Sequence, residues 1–148
     1  MFHLFIRCFT KKYFQFKGRA NRREYLSFLI FDFSIVFLLM ILIKITLSNI
    51  FIIVLTIYGL VSFFPSISVI VRRLHDFNIS WWSYFFFYCV SMIIIIYLMI
   101  QDGSIRRGVE MSTTTSIFSW LISIFQWLVL LCIKGTSGSN HYGKPPIN

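Results

Sequence analysis

Residues Ile50–Val71 read IFIIVLTIYGLVSFFPSISVIV, and Arg72-Arg73-Leu74-His75-Asp76 follows without a break. The first part carries no charge. As a helix it would be about 33 Å long, enough to cross a hydrocarbon core of about 30 Å. The second part packs four polar residues into five positions at its end. An uncharged span closed by a charged plug is the signature of a transmembrane helix meeting the membrane surface.

Working outward, three further stretches have the same character. Tyr25–Ile43 precedes it, closed by Lys44. Trp81–Ile100 and Ile117–Ile133 follow it. The 27 residues between Lys44 and Arg72 are more than one crossing needs. Ile45–Asn49 is therefore the expected turn, with Ser48 and Asn49 at its tip. Asn21 and Glu24, three apart, have capping-box spacing and predict that the first span starts at residue 22. Ser80 is the expected N-cap of the third. Pro65 sits inside the second span and frees one carbonyl, which Ser62 and Ser66 are close enough to satisfy.

The ends differ from the spans. Phe2, Phe5, Ile6, Phe9, Tyr13 and Phe16 recur at helical spacing, with Arg7, Lys11 and Lys12 mostly opposite. This predicts a short helix lying in the membrane interface, broken by Gly18. Residues 101–116 read as a polar loop, and the tail from Gly135, rich in Gly, Ser and Pro, as irregular chain. The fold expected is an all-α membrane protein. Residues 1–148 form a single integral membrane domain, a bundle of four transmembrane helices (about 25–43, 50–71, 81–100 and 117–133).

Composition supports that class. Only 13% of residues are charged, against about 25% in a soluble domain. The formal charge of +9 would suggest nucleic acid in a soluble chain. Here its distribution points to topology. Eleven basic residues lie on the side of the N-terminus and three on the other. This predicts both termini in the cytoplasm. Cys8, Cys89 and Cys132 form no C-x-x-C and read as small buried hydrophobes, not as disulfides or zinc ligands. No cleavable leader is evident.

That topology gathers Arg19–Glu24, Arg72–Asp76 and Gly135–Pro146 on one membrane face. Arg72 and Arg73 stand four and three residues before Asp76, so either could pair with it on a helix. His75 beside Asp76 has a catalytic reading and a structural one. The catalytic reading lacks a nucleophile, a metal set or a phosphate loop to act with. The structural reading is a salt-bridged polar cap that locks the loops. Inside the spans, Asp32 is either a proton or cation site or a structural carboxyl bonded to a neighbouring helix. Gln126 reads as inter-helix glue.

Three motifs carry a family resemblance. Tyr13–Tyr25 (YFQFKGRANRREY), then Arg72–Asp76 followed by Ser80 and Trp82, then Gly135–Pro146 (GTSGSNHYGKPP) occur in this order. They resemble the bacterial inner-membrane proteins grouped as domain-of-unknown-function family 805, the YhaH-like proteins. The departures are His141 where the family usually has Arg, Pro145 where it has Asp, and Trp81 where it often has Gly. The resemblance implies a small bacterial inner-membrane protein and supplies no substrate, cofactor or catalytic residue. The four-span reading comes from the residues themselves.

The sequence thus points to a non-enzymatic protein without cofactor or metal. It would bind anionic lipid head groups or a membrane partner, self-association included, and no nucleic acid. Its binding surface is the basic cap of Arg19, Arg23, Glu24, Arg72, Arg73, His75, Asp76, Asn140 and Tyr142. The alternatives are a small transporter or channel subunit using Asp32, and an immunity protein against a membrane-active toxin.

Overall fold

A computed structural model describes residues 1–101 and 113–146. It contains helices α1 (Phe2–Phe9), α2 (Arg22–Thr46), α3 (Asn49–Asp76), α4 (Trp81–Gln101) and α5 (Thr113–Cys132). The last four are long and apolar enough to cross a membrane. The expected loop over 101–116 is shorter at both ends, since α4 includes Gln101 and α5 already begins at Thr113. Its centre lies outside the described residues.

The chain divides into two compact units, Met1–Asn78 with the tail from Lys134, and Ile79–Ile133. In the first, α2 and α3 form an antiparallel hairpin. Asn21 caps α2 as its spacing predicts, its side chain accepting from Glu24 N at 2.8 Å. At the far end Leu47 takes a left-handed conformation (φ 50°), and Ser48 starts α3 with its hydroxyl on Ile50 N.

Helix α3 has 28 residues, about 42 Å, so it outruns a hydrocarbon core of about 30 Å. The Arg72–Asp76 plug is its last turn. Burial follows that geometry. Arg19, Ala20, Glu24, Tyr25, Ser27 and Phe28 on one side and Ser68, Val69 and Val71–Asp76 on the other are buried. Mid-helix residues such as Phe37, Leu38, Ile53 and Leu60 stay exposed, as side chains solvated by lipid do. The core of this unit therefore lies at one end of the helix pair, and it is largely polar.

The N-terminal segment is helical for eight residues only. Phe5 and Cys8 are buried, and the rings of Phe2, Phe5 and Phe9 meet Phe28 or Phe31 of α2. The chain then leaves the helix for a turn that serves α3. The Ser68 hydroxyl donates to Lys12 O or Gln15 O, at 3.0 and 2.7 Å. Tyr13 Oη donates to Val61 O at 2.8 Å. Val61 is the residue four before Pro65, so this is the carbonyl the proline frees. That corrects the expectation for Ser62 and Ser66. Their hydroxyls bond back to Gly59 O and Ser62 O within their own helix, and the freed acceptor is met from outside it.

In the second unit, α4 and α5 meet through Gln126 Nε2, which donates to Ser91 Oγ at 3.1 Å. Both side chains are buried, the inter-helix role the sequence predicts for Gln126.

Candidate functional site

The last turn of any helix leaves carbonyls without intrahelical partners. At α3 these are met from both ends of the chain. Thr136 N donates to Asp76 O at 2.9 Å, and Asn140 Nδ2 to His75 O at 2.8 Å. One turn earlier, Ala20 N reaches Arg72 O at 2.9 Å. The three motifs of the sequence are therefore joined first by backbone.

Charge then locks them. Asp76 is held by two arginines. Arg19 Nε and Nη2 approach Oδ1 at 2.9 and 2.8 Å, and Arg73 Nη1 approaches Oδ2 at 2.6 Å. Arg19 spends its other donors on the tail, with Nη2 to Thr136 O at 2.5 Å and Nη1 to Gly138 O at 2.7 Å. Arg73 also lies over the Phe77 ring, 4.5 Å from its centroid. His75 stacks on Tyr142 with centroids 3.8 Å apart and planes 6° apart. Its Nδ1 lies 3.2 Å from Gly18 O, an arrangement that favours the Nδ1–H tautomer. Gly18 has φ 93°, a left-handed conformation suited to glycine, and it turns that carbonyl toward the ring.

Gly135 has a different reason to be glycine. A Cβ built there would fall within the Asp76 carboxylate. Only a bare Cα lets the tail pass close enough for Thr136 to cap α3.

Glu24 forms a second, separate cluster. It pairs with Arg72 and, at 2.9 Å, with Lys12 Nζ. Cys8 Sγ lies 3.9 Å from Glu24 Oε1. Burial, and then the Glu24 charge, raise the Cys8 pKa, so the group is a protonated thiol at neutral pH. Arg72 is 1% exposed, and its Nε and Nη2 have no hydrogen-bond partner among the described residues. Its strongest contact is thus Glu24, 48 residues away in the chain. The i, i+4 pairing with Asp76 is not made, and Arg73 takes that carboxylate at i, i+3.

Of the predicted site residues, the structure unites Arg19, Arg73, His75, Asp76, Asn140 and Tyr142 in one network. Glu24 and Arg72 form the other. Arg23 belongs to neither. It is exposed, and with Lys134 it lines a cleft of about 420 Å3 beside the first network. Arg19, Arg22 and Arg73 also line it, so five cations and the single carboxylate of Asp76 surround the space. Sequence reasoning missed Lys12, Cys8, Gly135 and Thr136. Only Gly135, placed just after the last span, gave a local signal. Asp32 lies apart on α2 and accepts from Tyr58 Oη of α3 at 2.7 Å. Among the described residues no three His, Cys, Asp or Glu side chains converge as a metal site would require.

The family model described as "Protein of unknown function (DUF805)" matches residues 13–144. The inner membrane protein YhaI of Escherichia coli K12 is 30% identical over 137 residues, 92% of this chain and 89% of its own length. The inner membrane protein YhaH of the same strain is 29% identical over 143 residues, 92% and 90% of the two chains. No solved structure matches.

Proposed function

The chain belongs to the DUF805 family of membrane proteins, to which no activity is attached, and we propose that it works by binding, without catalysis, at its basic cap. The ligand is an anionic lipid head group. The cap faces the cytoplasm, with both termini on that side.

The cleft carries this reading. Its buried arginines are engaged by Asp76 and by tail carbonyls. Arg23 and Lys134, both exposed, have no described side-chain partner, so their charge acts on whatever occupies the cleft. A volume of about 420 Å3 lies within the roughly 300–1,000 Å3 of small-ligand sites. Helix α3 ends at the head-group boundary, where each nearby basic residue contributes about 1 kcal/mol of attraction to an anionic leaflet. Topology supports the same reading. The chain leaves at Asp76 and is back against it at Thr136, so an even number of crossings lies between, and α4 and α5 supply two.

Native mass spectrometry of protein extracted in mild detergent tests this. Wild type is expected to retain phosphatidylglycerol or cardiolipin. Arg23→Gln/Lys134→Gln is expected to lose most of that load, and Lys44→Gln, at the other end of α2, to keep it. Equal lipid on all three proteins would refute the proposal. A co-purifying membrane protein or second copy that departs with the double variant would assign the surface to that partner instead.

A further inference from the structure

The cleft has two walls from opposite ends of the chain. Asn21, Arg22 and Arg23 come from the start of α2, and Lys134, Gly135 and Thr136 from the start of the tail. The second wall exists only while the tail is docked. It is held by the backbone cap from Thr136 to Asp76, the Arg19 bonds to Thr136 O and Gly138 O, and the bare Cα of Gly135 against the carboxylate. Further along the tail it is held by Asn140 on His75 O and Tyr142 on the His75 ring.

We propose that the cleft takes the phosphate of an anionic lipid between Arg23 and Lys134, and that this ligand and the docked tail stabilise one another. The inference rests on the binding role proposed above and adds its ligand group and its regulation. The charge balance explains the choice. Hydrogen bonds already engage Arg19 and Arg73, both with Asp76 and Arg19 also with the tail carbonyls. Arg23 and Lys134, without a described side-chain partner, stand on separate walls, and an anion between them relieves repulsion that the docked tail otherwise bears. A group that contacts both walls binds the docked form better, so by linkage it must raise that form's population. A tail that is unseated must, in turn, lose affinity.

Hydrogen exchange of residues 135–146 tests the coupling in nanodiscs of phosphatidylcholine, of phosphatidylcholine with phosphatidylglycerol, and of phosphatidylcholine with inorganic phosphate added. Phosphatidylglycerol is expected to slow opening of the wild-type tail by about tenfold, the effect of a ligand near ten times its Kd. Phosphatidylcholine, alone or with inorganic phosphate, should give no slowing. Arg23→Gln/Lys134→Gln keeps the Asp76 latch and should lose the effect of phosphatidylglycerol. Gly135→Ala should open the tail in every disc and lower lipid retention. If lipid is retained in native mass spectra but tail exchange is the same in all discs, the coupling is wrong while the binding role stands. If no lipid is retained, the binding role fails with it. If inorganic phosphate alone slows the tail, the ligand is a soluble anion and the lipid assignment is wrong.

Discussion

Asp76→Asn is expected to destabilise the first unit by about 3–5 kcal/mol, the usual cost of breaking a buried ion pair by removing one partner. The geometry places this variant in that range. The carboxylate faces two guanidinium groups whose side chains are 1% and 0% exposed, so neither can turn into water. Asparagine can keep one oxygen toward Arg19, but its amide NH2 would then face Arg73 Nη1, now 2.6 Å from Oδ2, donor against donor. Both cations would lose their counter-charge. Glu24→Gln is the internal comparison. Its carboxylate also has two cations, but Lys12 is 18% exposed and can find water, so only Arg72 is stranded. The loss there should be smaller. Reversible unfolding in mixed detergent micelles, followed by circular dichroism, measures both. A loss for Asp76→Asn of under about 1 kcal/mol, the level of an exposed pair, would refute the view that this network holds the cap together.

Tyr13→Phe should cost about 1 kcal/mol by stranding the Val61 carbonyl, whereas Ser66→Ala, which removes only a bond within α3, should stay within about 0.5 kcal/mol in the same assay. Equal losses would mean that Tyr13 does not complete the proline site. Asp32→Asn should change stability by less than about 1 kcal/mol, because its amide oxygen still accepts from Tyr58 Oη. A large loss would point to a role for the charge itself. Cys8, buried and held as a thiol, should resist N-ethylmaleimide in the folded protein and react after unfolding in dodecyl sulfate, as read by peptide mass spectrometry. Rapid labelling of folded protein would show that α1 does not stay docked.

The spans were plain in the sequence because hydropathy and length decide them with no reference to other residues. Asn21 and Ser80 marked helix starts for the same reason, since a cap is satisfied within a few residues. Part of the cap's membership was also visible, through the charges that gather at Arg19–Glu24 and Arg72–Asp76, while Cys8, Lys12, Gly135 and Thr136 were missed. Its wiring was visible only in part. Local spacing offers Asp76 to Arg72 and to Arg73; the fold makes the Arg73 pair, adds Arg19 to it, and turns Arg72 to Glu24. Lys12 looked like a topology anchor, and only the turn after α1 makes it a partner of Glu24. Tyr13 was counted in an apolar stripe, yet its hydroxyl answers a proline 52 positions later. Such pairs depend on tertiary placement, which no periodicity encodes.

The central claim is that one cytoplasmic face carries the cap, built from both ends of the chain. Reporter fusions measure it most directly. Green fluorescent protein and alkaline phosphatase are fused in turn after Lys44 and after Lys144. Lys44 should read external and Lys144 cytoplasmic. A tail that reads external would separate Thr136 from Asp76 by the membrane and contradict the account.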